Sequence, residues 1–112
     1  MKNDGIDYNI ASTYQRLAMR TANQEARNYS NLGLGITGEA GEVADLIKKH
    51  LHQNHPLDRE ALIEELGDVA WYIALGCELL GCSLAEVFAA NIIKLADRYP
   101  TGFDPERSIN RD

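Results

Sequence analysis

Apolar residues recur at helical spacing along most of the 112-residue chain, and long alternating β-branched runs are missing. The pattern predicts an all-α domain of four helices. The first covers about 9 to 27, with Tyr14, Leu17, Ala18 and Ala22 on its inner side. A polar, glycine-containing stretch, NYSNLGLG, separates it from a second helix over about 34 to 52. Pro56 lies in the next loop, where it cannot interrupt a helix. Asp58 is placed to cap a third helix that runs to Leu80, and Gly81 suits its C-terminus. Ser83 and Glu86 form a capping box for the fourth helix, which Pro100 ends near Tyr99. One domain over residues 1–112 follows, with its core in about 9–100 and a polar, frayed tail over 101–112.

Two acidic pairs break the apolar stripes in the same way. On a wheel of about 100° per residue, Ile36, Ala40, Val43, Ile47 and Leu51 mark the stripe of the second helix. Glu39 falls within its border, and Glu42 falls just outside it. In the third helix Leu62, Leu66, Val69, Ile73 and Leu80 mark the stripe; Glu65 and Asp68 repeat the offset. If the helices pack antiparallel through these stripes, all four carboxylates can face one pocket. Like charges so arranged repel, and partial burial penalises them further. Protonation, pairing with Lys or Arg, or a hard divalent cation would each compensate. Mg²⁺ takes oxygen ligands and completes its shell with water and phosphate. A di-iron bundle would call for Glu-x-x-His motifs, and neither pair contains His.

In the fourth helix Asn91 falls inside the face marked by Leu84, Val87, Phe88 and Leu95, with Lys94 and Arg98 beside it. A buried Asn needs hydrogen-bond partners, which sugar hydroxyls or phosphate oxygens could supply. Lys48 and Lys49 are further candidates for phosphate contact. Trp71 lies opposite the stripe of the third helix, a place for packing on a partner subunit or stacking on a base. His50, His52 and His55 lie close in sequence, but i, i+2 spacing does not put two side chains on one helix face. GLGITGEAGE lacks the Gly-Lys-Ser/Thr ending of a phosphate loop.

The net charge of −6 argues against non-specific nucleic-acid binding. It leaves room for a small anion, since a bound cation reverses the local sign. No apolar run reaches the roughly 20 residues of a transmembrane helix, and MKNDGIDYNI lacks a signal-peptide apolar region. Cys77 and Cys82 lack CxxC spacing and read as free core thiols. The expectation is a cytoplasmic protein that binds neither membrane nor nucleic acid.

GEAGEVADLIKK followed by EELGDVAWYI, with 22 residues between Glu42 and Glu65, resembles the Glu-x-x-Glu … Glu-x-x-Asp signature of MazG-like nucleotide pyrophosphohydrolases, in the all-α NTP pyrophosphatase superfamily. NIIKLADRYP is similar to the family's closing motif, and YQRLAMRT to the first helix of short members. The resemblance spans roughly residues 10–100. It implies a four-helix bundle completed by homodimerisation, with tetramers in some members. It implies hydrolysis of a nucleoside triphosphate to monophosphate and pyrophosphate, for sanitation or control of nucleotide pools. It implies Mg²⁺, with Mn²⁺ as a substitute, at Glu39, Glu42, Glu65 and Asp68, and nucleotide contact by Asn91, Lys94 and Arg98. Some members carry a Glu immediately before the first motif Glu, a candidate for activating water; here that position is Gly38, and the wheel turns Glu64 away from the site. Alternatives within the superfamily are dUTPase-like and phosphoribosyl-ATP pyrophosphatase activities. From another class, the alternative is a non-catalytic helical interaction module.

Overall fold

The computed structural model describes residues 4–111; Met1–Asn3 and Asp112, at the two ends of the expected domain, lie outside it. The described chain is helical: α1 (Tyr8–Met19), a 3₁₀ turn (Gln24–Ala26), α2 (Tyr29–His52), α3 (Arg59–Leu80), α4 (Leu84–Arg98) and α5 (Pro105–Ile109). Each helix starts at a side chain that accepts from its first-turn N–H groups: Asp7, Asn28, Asp58, Ser83 and Asp104. Gly81 closes α3 at φ 69°, in the left-handed region that glycine reaches without a Cβ penalty. Its N–H donates to Glu78 and that of Cys82 to Cys77, so the last carbonyls of α3 are satisfied before the chain turns.

Three boundaries differ from the sequence reading. The first helix stops at Met19, because local polar groups capture its last carbonyls. Thr21 Oγ1 donates to the Ala18 carbonyl, and the Arg27 guanidinium donates to the carbonyls of Met19 and Ala22. The second helix begins at Tyr29, five residues before Leu34. Asn28 caps it through Asn31 N–H at 2.7 Å, and of the two glycines that suggest a loop, Gly35 is used for close packing while Gly33 has open space beside it. The tail is not frayed throughout: Asp104 caps α5, and the rings of Tyr99 and Phe103 lie 5.2 Å apart.

α2 and α3 form an antiparallel hairpin. α1 and α4 pack on the C-terminal half of α3, and α4 leaves α3 at a bend of 103°. The described chain is therefore not a closed four-helix bundle. Around α3 the core is small: Ala74, Leu75, Cys77, Met19, Ala22, Ala11, Leu84, Ala85 and Ala89. α3 buries its face toward α1 as well as its face toward α2. Trp71 consequently packs inside the chain, its indole N–H donating to the Ala18 carbonyl (3.1 Å) and Thr21 Oγ1 (2.7 Å). Leu66 and Leu80, expected inside, are 56% and 69% exposed. In α1 the inner positions are Ala11, Gln15 and Met19, and Tyr14 and Leu17 turn outward.

The outer half of the hairpin has α2 and α3 only, which leaves Ile47, Leu51, Ile63 and Leu66 open; Leu34, beside Gly35 on the other half, is exposed as well. The radius of gyration, 16.9 Å, exceeds the roughly 13 Å of a compact domain this size. No single described helix is long and apolar enough to cross a membrane.

One buried polar side chain ties α1 to the α3–α4 corner. The Gln15 amide donates to Glu78 Oε1 (3.1 Å) and the Cys82 carbonyl (3.3 Å), and its oxygen accepts from Leu84 N–H (2.7 Å). Replacing it takes the partner from the buried Leu84 N–H, whereas Glu78 is exposed and keeps its ion pair with Arg27. Gln15→Leu is expected to lower the unfolding free energy by about 2 kcal/mol in urea titration, with helix content kept. A stability equal to the wild type would show that the corner is held by packing alone.

Candidate metal centre

The α2–α3 register builds the site. Leu32 packs on Gly76, and Gly35 lies against the Tyr72 ring. One turn further along both helices, Glu39 of α2 meets Glu65 and Asp68 of α3. One carboxylate oxygen from each lies within 4.8 Å of the others. Glu39 and Glu65 are half-buried and Asp68 is exposed. Glu42 is exposed beyond this trio, close enough for its charge to act on Glu65.

Among the described residues no ion pair reaches Glu39, Glu65 or Asp68, and only Glu42 feels the charge of Lys49. Lys49 Nζ bonds Asp45 at 2.9 Å, and Lys48 pairs with the same carboxylate at 3.5 Å. The hydrogen bond from Lys49 holds Asp45 below its ordinary pKa and raises that of Lys49. Glu65 Oε2 is buried with no hydrogen-bond partner. A hydrogen bond shared with Glu39 is the main cause that lifts the Glu65 carboxyl to about 7. Partial burial and the charges of Glu39, Asp68 and Glu42 add to it.

Once ionised these carboxylates only accept, and three converging acceptors with an orphaned buried oxygen fit a hard divalent cation. Such an ion takes oxygen ligands and removes the repulsion. Nothing soft is present to favour copper or zinc: among the described residues no candidate metal group includes His or Cys. His50 Nδ1 instead lies 2.9 Å from the His55 carbonyl, within the α2–α3 loop. Cys77 is buried, and burial pushes its thiol up to about 11.

The remaining expected site residues are not gathered here. Asn91 and Lys94 lie on α4 and are exposed, so the expectation of a buried Asn91 does not hold within this chain. The bend between α3 and α4 carries α4 away from the hairpin. Arg98 is half-buried at the end of α4, and its carbonyl accepts from Arg107 at 3.4 Å. Lys48 and Lys49 point to Asp45 rather than to the trio.

Tyr14 was expected in the core and stands instead beside the acids. Its phenol pKa is raised by partial burial and then by the charge of Asp68. It lines an apolar cleft of about 420 Å³ with Ile6, Ile10, Ala70, Ile73 and Phe88. The Tyr14–Ile10–Leu17 spacing on an outer stripe was the available signal, and it reads equally well as ordinary helix packing.

The raised Glu65 pKa carries a sign. The folded state holds this proton more tightly than the unfolded state. The stabilisation is complete below about 4.5 and is lost as pH climbs through about 7. In EDTA, the melting temperature is therefore expected to fall between pH 5 and pH 8, and Glu65→Gln should flatten that segment. An unchanged slope in the variant would assign the pH dependence to other groups.

Comparison with known proteins places this geometry in a family. The description "MazG nucleotide pyrophosphohydrolase domain" matches residues 27–103, which include all four carboxylates and α4 but not α1. The chain is 38% identical over 86 residues to the Gene 37 protein of Mycobacterium phage L5, an alignment covering 73% of this chain and 75% of that protein. No solved structure matches the chain. With more than half of its length matched, including both acidic pairs, the chain belongs to the MazG nucleotide pyrophosphohydrolase family.

Proposed function

We propose that the protein hydrolyses a nucleoside triphosphate to a nucleoside monophosphate and pyrophosphate in a Mg²⁺-dependent reaction. The observation that carries this reading is the Glu39–Glu65–Asp68 trio with its unpartnered buried oxygen, in a chain of this family. Glu39, Glu65, Asp68 and the adjacent Glu42 would hold the ion, with Mn²⁺ as a substitute for Mg²⁺. When bound, it neutralises the triphosphate and lowers the pKa of water at the site.

The chain's own groups account for the rest. The four carboxylates fix where positive charge can sit, and so where a triphosphate is tolerated in a protein of net charge −6. In-line attack of water on the α-phosphorus breaks its bond to the bridging oxygen, and pyrophosphate leaves. Positioning and charge stabilisation dominate such phosphoryl chemistry. The apolar cleft lined by Tyr14, Ile10 and Phe88 is large enough to take a nucleobase out of water beside Asp68. Lys48, Lys49, Asn91, Lys94 and Arg98 would be the groups for phosphate and sugar, with Lys48 and Lys49 leaving Asp45 and α4 coming from a second copy.

Association with a second copy belongs to the same reading. The open apolar side of the hairpin, with Leu34 at 75% and Leu51 at 65% exposure, is more than an isolated small chain keeps in water. A partner there would also bring another α4 toward the acids. Free thiols and the lack of a spanning helix accord with a cytoplasmic setting. Gly38 favours one other reading, a binding module without turnover, because it puts no carboxylate where some relatives carry one.

The test is pyrophosphate release from a panel of natural and modified nucleoside triphosphates, with Mg²⁺ or EDTA. Release is expected with Mg²⁺ only, and Glu65→Gln and Asp68→Asn should each lower kcat by at least about a hundredfold, the scale of losing one group that stabilises developing charge. A folded wild type inert toward every nucleotide would move the assignment to the binding module. Sedimentation is expected to give a dimer or tetramer, and Leu66→Asp to shift it toward monomer.

A further inference from the structure

We infer that Gly35 and Tyr72 are positioning residues that set the spacing of α2 and α3 at the acidic trio. On this inference, divalent-cation affinity depends on position 35 having no side chain. The inference rests on the metal-site reading of those carboxylates.

The geometry is specific to this position. A Cβ built on Gly35 would lie 2.1 Å from one Tyr72 ring carbon, 2.3 Å from a second and 2.7 Å from a third. The ring therefore occupies the volume a side chain would need. Glu39 is one turn along α2 from Gly35, and Asp68 is one turn along α3 from Tyr72, on the same faces. The contact of the Tyr72 ring with Gly35 is thus one turn from the point where three carboxylates must come together. A change in helix separation at one turn is carried to the next, because a helix is stiff over that length.

The ring has a fixed neighbour of its own. Trp71 meets it edge-on, with centroids 5.0 Å apart at 80°. The Trp71 indole is itself fixed by the Ala18 carbonyl and Thr21 Oγ1 at the end of α1. A run from α1 through Trp71 and Tyr72 to Gly35 therefore determines how near α2 can come. The next packing step behaves alike but with more room: a Cβ at Gly76 would sit 3.4 Å from Leu32, an ordinary contact. Gly33, Gly38 and Gly41 have nothing within 4 Å of an added Cβ. Of the α2 glycines, Gly35 alone meets such a close contact.

The test is Mn²⁺ binding to the full chain, by calorimetry and by the loss of free-ion EPR signal, with helix content checked by circular dichroism. Gly35→Ala is expected to weaken binding by about tenfold or more, the scale of losing a group that orients metal ligands. Gly33→Ala is the control. It should bind Mn²⁺ as the wild type does and melt at a higher temperature, since alanine favours helix over glycine. In the double variant Gly35→Ala, Tyr72→Val, space for the methyl is restored, and affinity should return to within about threefold of wild type, well inside that loss. Wild-type affinity in Gly35→Ala, or a loss that the double variant does not repair, overturns the inference. If Gly35→Ala does not fold, the double variant decides: folded with Mn²⁺ bound supports the spacer, folded without it refutes it. No Mn²⁺ binding by the wild type overturns the metal-site reading itself, and the spacer with it.

Discussion

The close antiparallel contact of α2 with α3 is the constraint on which the rest depends. It brings Leu32 to Gly76 and Gly35 to Tyr72, and by the same register it brings Glu39 to Glu65 and Asp68. The first two contacts are apolar and favourable. The third brings carboxylates together, and the hydrogen bond shared by Glu65 and Glu39, with partial burial and like charge, raises the Glu65 pKa to about 7. Packing on one turn thus sustains electrostatic stress on the next, and a protein spends stability in this way where a ligand can relieve it.

The arrangement of α1 and α4 explains why the stress is local. Both pack on the C-terminal half of α3, where Leu75, Ala74 and Ala85 are fully buried. Gln15, Trp71 and Arg27 supply the polar ties at that end, each donating to backbone carbonyls at the ends of α1 or α3. The carboxylates lie beyond this firm end, on the two-helix part of the hairpin. There solvent, an ion or a second copy can reach them, and the apolar residues that flank them have no cover from this chain.

Much of the site was legible before any coordinates. Glu39, Glu65 and Asp68 were marked by an equal offset from two stripes, and helical periodicity is a fixed property of sequence. Glu42 was marked by the same offset but lies outside the tight trio. The Asn91–Lys94–Arg98 row was read as a set of nucleotide contacts. A wheel gives the face of a helix but not its direction in space, and a 103° bend after α3 takes α4 away from the hairpin. Tyr14 and Trp71 were misplaced for a related reason: α3 buries two faces, and a single-stripe reading assumes one.

The sequence by itself determined the all-α class, the capped starts of the third and fourth helices at Asp58 and Ser83, the stop at Gly81 and the acidic pairs. These depend on local backbone chemistry and on a period of about 3.6 residues, which need no knowledge of neighbours. Only the tertiary structure decided that NYSNLGLG is the first turns of α2 rather than a loop. A glycine that frees a loop and a glycine that admits a tyrosine ring are the same letter, and the difference lies in what packs against it. It also decided that three of the four acids converge and that one buried oxygen has no partner. Convergence is a distance between two helices, and that distance is set by side chains remote in the chain.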